Sequence, residues 1–405
     1  MKAIIFAIVC AISLMFNTVD ALAFDDQLEE LLAIDYCDLT PEQLRLREAL
    51  ICEYKLRNLN NKLEANALCY FTGDVMCLGG QQRDAKTGNT FDFWPSYKYV
   101  ATIFDEADFV CGNLETLLSE SNPITKDQVN AANGSPQCNG PEVLLSALKD
   151  AGYDMFVTAN NHSYDWRANG ITETKKHLDD WKFLNTGTHY DNDNTEPNYC
   201  IYNANGIRVG VLSYTHLVNQ RSLLNKDGKQ NMLNLYDIDT IKKDIKAARK
   251  AGAEFIVVYC HWGTENTEKL NDTQLNDSKA VAEAGADLII GSHPHCLQKC
   301  DYISTSDGRQ VLCMFSMGNF CSSMTRTINK DTIILRVELN RSADGTISSE
   351  SSYIPCRMIT YEKRQYVVMP TSKTLNGGLS NSELNDATKR INKIMNNVIP
   401  EYSGQ

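Results

Sequence analysis

The stretch YDMFVTANNHSYD (residues 153–165) joins an apolar run to a cluster of short polar side chains. Residues 153–158 have the composition of a buried strand. The polar side chains that follow within six positions are Asn160, Asn161, His162, Ser163 and Asp165. Such residues are common in turns because they bond to nearby backbone, but they also build binding sites. The rest of the chain decides between a turn and a site.

Short apolar runs alternate with amphipathic patterns from residue 67 onward. The predicted strands are 67–72, 107–111, 153–158, 207–213, 254–260, 286–290 and 309–317. The predicted helices are 140–151, 168–181, 237–251 and 271–284. This alternation favours an α/β fold in which helices cover a sheet. The pattern of residues 330–368 is typical of β-hairpins, a last helix is predicted at 380–397, and the polar stretches 119–139 and 186–197 are expected to be surface loops of the same domain.

The N-terminus has the pattern of a secretory signal. Residues 1–23 combine Lys2, an apolar run at 3–16 and small residues around Ala21 and Ala23. The apolar run is shorter than the span of about 20 residues that a membrane helix needs, although an uncleaved anchor remains an alternative. We therefore expect a secreted or cell-surface protein.

Residues 24–66 are predicted to form a helical extension ahead of the main domain. Thr40 as the N-cap, Pro41 in the first turn and Gln43 at the third position predict a helix start. The leucine-rich run that follows, to about residue 63, has amphipathic spacing. This segment is expected to pack on the main domain.

Composition and charge restrict the class of partner. The chain has 405 residues, of which 43% are hydrophobic and 22% charged, and its net charge is −12. This acidity argues against a general nucleic-acid binder, because attraction to phosphates is the usual source of that affinity. An anionic substrate remains compatible, since a bound metal inverts the local field.

Three groups of cysteines can be distinguished by their sequence context. Of the 14 cysteines, Cys111, Cys260 and Cys313 lie in strand-like runs and are predicted to be buried free thiols. The pair Cys37 and Cys52 flanks the start of the predicted extension helix and could form a disulfide. Cys296 and Cys300 lie beside a histidine cluster and could bind zinc, but no partner Cys-x-x-Cys motif is present.

Polar residues follow most of the predicted strands directly. These residues are Asp74, Asn113, Glu115, Asn160, Asn161, His162, His261, His293 and His295. In α/β sheets the carboxyl ends of the strands are where ligands bind, so these side chains can converge. Imidazole, carboxylate and amide oxygen together suit a divalent ion such as Zn, Mn or Fe, and we therefore predict a metal centre with one or two ions.

The same residues carry a resemblance to a known family. The chain resembles the CapA (poly-γ-glutamate capsule biosynthesis) family, a branch of the calcineurin-like metallophosphoesterase superfamily. The matching stretches are FTGDVMCLG (71–79), FVCGNLET (109–116), AGYDMFVTANNHSYD (151–165), YCHWGTE (259–265), ADLIIGSHPHCLQ (286–298) and FSMGNF (315–320). The resemblance covers residues 67–325, and residues 326–405 are expected to complete the same domain with β-hairpins and a helix. It implies a four-layer α/β/β/α sandwich.

The resemblance also implies roles for individual residues. One metal position would be formed by Glu115, Asn161, His261 and His293. The second would be formed by Asp74, His295 and a bridging Glu115. His162 corresponds to the general acid, Asp165 is assigned to orient it, with a turn-capping role as the alternative, and Asn113 and Asn160 are assigned to substrate binding, Asn160 alternatively to shaping the loop.

Two residues depart from the pattern of the wider superfamily. The histidine of its Asp-x-His motif is Met76 here, and a thioether is a poor ligand for a hard or borderline cation. The bridging aspartate is the longer Glu115. The Asp74 half of the centre is therefore one ligand short, which puts an inherited two-metal mechanism in doubt.

Three functions follow from these observations. The first is a secreted metal-dependent hydrolase acting on a phosphoester or on the γ-glutamyl amide of an anionic polymer. The second is a non-catalytic subunit that handles or exports the polymer beside capsule-synthesis membrane partners, and the third is a metal-stabilised scaffold. Asn161-His162-Ser163 is also a glycosylation acceptor pattern, and a glycan there would be incompatible with Asn161 as a ligand.

Overall fold

The computed structural model describes residues 40, 43, 46–47, 64–121, 137–193 and 195–404. The predicted signal peptide, most of the helical extension and the Cys37–Cys52 pair lie outside these residues. The helix start predicted at Thr40 is confirmed by reciprocal bonds. The backbone N–H of Thr40 donates to Gln43 Oε1 at 2.9 Å, and the backbone N–H of Gln43 donates to Thr40 Oγ1 at 3.3 Å.

Strands and helices alternate along most of the described chain. The strands are β1 Ala65–Val75, β2 Lys86–Thr87, β3 Thr90–Phe91, β4 Phe109–Leu114, β5 Met155–Val157, β6 Leu184–Thr186, β7 Tyr199–Ala204, β8 Ile207–Thr215, β9 Phe255–His261, β10 Leu288–Ser292, β11 Cys300–Ser304, β12 Gln310–Met314, β13 Asn319–Cys321, β14 Asp331–Arg341, β15 Ile347–Tyr361 and β16 Arg364–Pro370. The α-helices are α1 Gly79–Ala85, α2 Trp94–Phe104, α3 Leu144–Asp150, α4 Arg167–Asp180, α5 Arg221–Lys226, α6 Ile238–Lys250, α7 Asp272–Glu283 and α8 Ser382–Met395. Short 3₁₀ turns lie at Gln230–Met232 and Thr327–Asn329.

Two large sheets organise these elements. The first has the order β16-β15-β14-β1-β4-β5-β6, with β13 also paired to β1. The second has the order β11-β12-β10-β9-β8-β7. Strands β1, β4, β5 and β6 are parallel in the first sheet, and β8, β9, β10 and β12 are parallel in the second. Each sheet therefore directs several strand carboxyl ends to one edge.

The two sheets pack face to face with helices outside. Along β1 the side chains of Cys69 and Phe71 join the core between the sheets, whereas Tyr70 joins the core under the helices α2 and α3. Along β9 the side chain of Val257 faces the first sheet and that of Val258 faces the helices α6 and α7. This two-residue alternation buries both faces of each strand. The predicted four-layer α/β/β/α sandwich is confirmed.

The sequence missed several short or irregular elements. The helices α1 and α2 and the strands β6, β7, β11 and β13 were not predicted, and β1 begins two residues earlier than expected. The stretch predicted as a surface loop at 119–139 needs a correction, since Cys138 and Asn139 at its end are fully buried. The backbone N–H of Cys138 donates to Asp165 Oδ2 at 2.7 Å, which holds Cys138 inside the molecule.

The cysteine predictions have separate outcomes. Cys111, Cys260 and Cys313 are buried free thiols, as predicted. Cys296 and Cys300 are also buried free thiols, and neither belongs to a group of potential metal ligands among the described residues. Within the same residues no helix combines the length and the apolar character needed to cross a bilayer.

Gly291 in β10 marks a close approach between chain segments. A Cβ at this position would lie 1.9 Å from the backbone oxygen of Phe315. Because backbone cannot move aside like a flexible side chain, we expect Gly291→Ala to lower the free energy of unfolding by about 3 kcal/mol. Gly308→Ala is the matched control, because Gly308 has φ +88 but a Cβ there would meet no atom within 4 Å. It should cost only about 1–2 kcal/mol, the strain of the left-handed backbone. Urea unfolding of both variants measures the difference, and equal losses would contradict it.

Candidate metal centre

Four strands from the two sheets deliver polar side chains to a single place. Asp74 lies near the end of β1 and Glu115 directly follows β4 in the first sheet. His261 ends β9 and His293 follows β10 in the second sheet. Each of these side chains is at most 6% exposed. The strand ends that the sequence singled out therefore converge in a buried cluster.

Glu115 is the least compensated group in this cluster. Its side chain is fully buried, and neither carboxylate oxygen has a hydrogen-bond partner. Its Oε1 lies 3.6 Å from His261 Nε2 and 3.8 Å from His295 Nε2. Burial and the nearby charge of Asp74 raise the pKa of Glu115 well above its ordinary value. A buried carboxylate without donors is costly, and a cation between it and the imidazoles would remove that cost.

Two of the groups of potential ligand atoms in the described residues share Glu115. The first contains Glu115, His261 and His293, and the second contains Asp74, Glu115 and His295. In each group the ligand atoms lie within 4.8 Å of one another. Glu115 belongs to both groups, as the bridging role implies. The donor set therefore fits one or two divalent cations.

Further contacts orient the Asp74 carboxylate. Its Oδ1 accepts a hydrogen bond from Asn113 Nδ2 at 2.8 Å. Its Oδ2 lies 3.4 Å from the backbone nitrogen of His293 and 3.5 Å from His295 Nδ1. Met76, two residues further on, is buried and offers only a thioether. The Asp74 half of the centre thus has fewer strong ligands.

Hydrogen bonds fix the rings of two histidines. His261 Nδ1 lies 2.8 Å from Ser292 Oγ, and its Nε2 lies 3.0 Å from Asn161 Oδ1. His295 Nδ1 lies 2.9 Å from Asn319 Oδ1. Such partners select the tautomer and the ring orientation of metal-binding histidines.

His293 has a ring nitrogen without a partner and an unusual backbone conformation. Its Nδ1 is buried without a partner. His293 and His295 also have positive φ angles, 94° and 56°, which are uncommon for residues other than glycine. Strained backbone of this kind is concentrated at functional sites, where the surrounding structure holds it.

The electrostatic environment keeps two of the imidazoles neutral. Burial, with smaller effects from the neighbouring histidines, lowers the pKa of His261 well below its usual value and that of His293 to about 3. For His295, burial opposes protonation, but the hydrogen bond and charge of Asp74 act more strongly together and raise its pKa. Neutral imidazole is the form that binds a metal.

The lowered pKa of His293 predicts a pH dependence for the metal-free protein. The unfolded chain binds a proton near pH 6.5, whereas folded His293 does so only near pH 3, so this group has no effect on stability above pH 6.5. As the pH falls from 6.5 toward 3, only the unfolded state is protonated, which should lower the free energy of unfolding by up to about 5 kcal/mol. Thermal unfolding in EDTA, compared with His293→Gln, isolates this term. The variant should show a flatter acid limb, and parallel limbs would contradict the assignment.

The loop of residues 159–165 supplies the next set of contacts. Asn161 is 1% exposed, and its Oδ1 faces His261 Nε2. His162 Nδ1 lies 2.6 Å from Asp165 Oδ2. Ser163 Oγ donates to the backbone oxygen of Thr158 at 2.6 Å and closes the turn. The stretch is thus a turn that also presents Asn161 and His162 to the cluster.

Asn113 and Asn160 hold the neighbouring loops together. Asn160 Nδ2 donates to the backbone oxygen of Leu114 at 2.9 Å and lies 3.3 Å from Asn113 Oδ1. Asn160 Oδ1 accepts from the backbone N–H of His162 at 3.1 Å. These contacts position Asp74, Glu115 and His162 relative to one another. The role of the two asparagines in substrate binding stays a prediction.

Sequence reasoning missed several neighbours of the cluster. They are Cys138, Asn219, Glu265, Ser292 and Asn319. Glu265, Ser292 and Asn319 lie inside the quoted motifs. Their position in the sequence beside the predicted ligands could have identified them as neighbours of the site. Cys138 and Asn219 lie in irregular segments, and only the folded chain brings them to His162.

Fold and site together define a four-layer α/β/β/α protein with a buried cluster of carboxylate and histidine side chains. The profile described as bacterial capsule synthesis protein PGA_cap matches residues 69–324, more than half of the chain. The chain belongs to this bacterial capsule synthesis family.

Two relatives support this membership. The chain is 30% identical over 274 residues to the capsule biosynthesis protein CapA of Bacillus anthracis, covering 66% of this chain and 62% of that protein. It is 27% identical over 250 residues to the PGA biosynthesis protein CapA of Bacillus subtilis (strain 168), covering 62% of each chain. The match thus spans about three fifths of the length of these relatives. A weaker likeness, with TM-score 0.46 and 15% identity over 82% of this chain and 98% of the other, is to the calcineurin-like phosphoesterase YfkN from Bacillus subtilis.

Proposed function

We propose that this chain is a metal-dependent hydrolase of capsule biosynthesis that cleaves a phosphoester or the γ-glutamyl amide of an anionic polymer. The observation that carries the proposal is the uncompensated Glu115 carboxylate, fully buried against His261 and His295. It lies in the same cluster as the His162–Asp165 pair. A structural metal site would have no need of a positioned proton donor.

The metal-holding roles follow the two ligand groups. Glu115, Asn161, His261 and His293 would hold one divalent ion, and Asp74, Glu115 and His295 would hold a second. This mixture of imidazole, carboxylate and amide oxygen suits Mn, Zn or Fe. When bound, such an ion supplies Lewis acidity, which lowers the pKa of water toward about 7 and polarises an acceptor oxygen.

His162 and Asp165 supply the proton transfer. Asp165 Oδ2 accepts a hydrogen bond from His162 Nδ1 and fixes the orientation of the ring. The Nε2 proton of that ring is then available for the leaving group, which is an alkoxide for a phosphoester and an amine for an amide. The backbone N–H of Cys138 holds the same Asp165 oxygen, so the pair is fixed from both sides.

The alternative is a polymer-handling subunit without catalysis. Met76 favours it, because a thioether replaces a ligand and leaves the Asp74 half of the centre incomplete. In either role we place the protein outside the cytoplasm or at the cell surface, with an anionic polymer or phosphoester as its substrate and capsule-synthesis membrane proteins as its partners. The N-terminal pattern of residues 1–23 supports this placement.

Metal analysis combined with hydrolysis assays tests the proposal. The full chain is analysed for bound metals and then assayed on p-nitrophenyl phosphate, bis-p-nitrophenyl phosphate and poly-γ-glutamate. We expect bound divalent metal and turnover of one substrate class, and His162→Ala should reduce turnover of poly-γ-glutamate much more than turnover of the p-nitrophenyl esters, whose leaving group needs little protonation. Bound metal with no turnover of any substrate, and polymer binding that is equal in wild type and His162→Ala, would favour the non-catalytic role instead.

A further inference from the structure

A second group of potential ligands lies beside the metal centre. It consists of Cys138, His162 and Asp165, which are 0%, 4% and 2% exposed. Cys138 Sγ lies 3.7 Å from His162 Nε2. At the opposite edge of the ring, Asp165 Oδ2 lies 2.6 Å from His162 Nδ1. The two ring nitrogens therefore have different partners.

These contacts determine what the ring presents to the thiol. An ionised Asp165 can only accept, so Nδ1 carries the hydrogen in the neutral ring. Nε2 then faces Cys138 Sγ with a lone pair. Zinc bonds of about 2.3 Å to sulfur and 2.0 Å to nitrogen at a tetrahedral angle place these atoms about 3.5 Å apart. The observed separation of 3.7 Å is close to that value.

Asp165 contacts the ring nitrogen of His162 that faces away from Cys138. A metal-binding histidine usually donates its other ring N–H to a carboxylate, and Asp165 is positioned to accept it here. The second oxygen of Asp165, Oδ1, is buried and has no hydrogen-bond partner. The group thus contains a soft sulfur ligand, an imidazole lone pair and a carboxylate of which one oxygen lacks a hydrogen-bond partner.

We propose that Cys138 Sγ and His162 Nε2 form a separate binding site for a thiophilic divalent cation such as Zn²⁺ or Cd²⁺. The main centre has oxygen and nitrogen ligands, whereas this pair contains a thiol that binds a cation as the thiolate and so selects softer ions. With two protein ligands it binds more weakly than a closed four-ligand site, so it fills when such a cation is in excess. Binding transfers the thiol proton to solvent and changes no oxidation state.

Occupation of this pair has a consequence for catalysis. A cation on Nε2 takes the nitrogen that would protonate the leaving group, so excess zinc inhibits the enzyme. This consequence rests on the proposed hydrolase function, whereas cation binding does not. Because general acid catalysis contributes about 10²–10⁴-fold, we expect inhibition of about 100-fold or more.

Absorption spectroscopy measures the binding without reference to activity. Protein loaded with Mn²⁺ is titrated with Cd²⁺, and the thiolate-to-metal charge-transfer band is recorded for wild type, Cys138→Ser, Cys138→Ala and Cys200→Ser. Cys200 is a partly buried free thiol in β7 and serves as the matched control. We expect one band per chain that disappears in both Cys138 variants and persists in Cys200→Ser. Thermal unfolding checks that each variant is folded.

The outcomes separate this site from the proposed function. A band that persists in both folded Cys138 variants, or the absence of any band in wild type, would overturn the site. A Cys138-dependent band in a protein without hydrolase activity would support the site while the function fails. In an active enzyme, zinc inhibition should fall from about 100-fold to less than about twofold in Cys138→Ser. Equal inhibition of the two proteins would refute the link to His162.

Discussion

His162→Ala is expected to lower kcat by about 10²–10⁴-fold while the metal content stays unchanged. The size follows from the loss of a positioned proton donor to the leaving group. The metal content should persist because His162 belongs to neither of the two ligand groups that contain Glu115. The assay compares kcat with metal per chain on the same preparation. Loss of both together would reassign His162 to metal binding.

A second variant distinguishes proton donation from simple positioning. Asp165→Asn keeps the shape of the side chain, but it replaces the acceptor of the His162 Nδ1 hydrogen with an amide. We expect a smaller loss of kcat than in His162→Ala, because the imidazole remains but the amide no longer fixes the tautomer whose Nδ1 carries the hydrogen. A p-nitrophenyl leaving group needs little protonation, so it should be much less sensitive to both variants than an alkyl ester. Equal sensitivity of the two esters would contradict the general-acid role.

The strand ends were predictable because two signals coincide there. An apolar run stops, and a residue type that can bind a metal follows. Asp74, His261 and His293 all have this pattern, and parallel pairing brings the strands that carry them into register. The α/β class followed from the alternation of strands and helices, whereas the four-layer sandwich was implied by the resemblance to the CapA family. Periodicity and strand-end chemistry were sufficient for the α/β class and for these strand ends.

Other parts depend on contacts that periodicity does not encode. The edge strand β7 has an apolar run of only four residues, 199–202, and most of its side chains are half-buried. The helix α2 begins with Trp94 and Pro95, and its aromatic composition resembles a strand. Asn219 reaches the site because its backbone N–H donates to the backbone oxygen of Asn161 at 2.8 Å, a long-range contact. Cys138 reaches the site through another long-range contact, in which its backbone N–H donates to the side chain of Asp165.

Glu115→Gln is expected to change stability in opposite directions with and without metal. In EDTA the variant removes a fully buried carboxylate whose oxygens have no hydrogen-bond partner. An unsatisfied buried charged group costs at least about 1–3 kcal/mol, so the metal-free variant should be more stable than metal-free wild type by about that amount. Replacing a solvent-exposed carboxylate would not raise the stability of the metal-free protein in this way.

With a divalent metal present the order should reverse. Wild type gains about 2.7 kcal/mol when the metal concentration is 100 times its Kd. The neutral amide of the Glu115→Gln variant supplies no charge to either ligand group, so we expect the metal affinity to fall by at least about 100-fold and most of that gain to vanish. Thermal unfolding of both proteins, in EDTA and in Mn²⁺ or Zn²⁺, records the crossing directly.

The matched control is Glu265→Gln. Glu265 is exposed, yet its carboxylate lies within ligand distance of His293 and His295. Since water already solvates this group, its replacement should change metal-free stability by less than about 0.5 kcal/mol. If Glu115→Gln is destabilising in EDTA, protein contacts rather than a cation compensate the buried carboxylate. If instead Glu115→Gln is more stable than wild type in EDTA and less stable with metal, and Glu265→Gln shows no such reversal, the buried Glu115 carboxylate is stabilised by a bound cation.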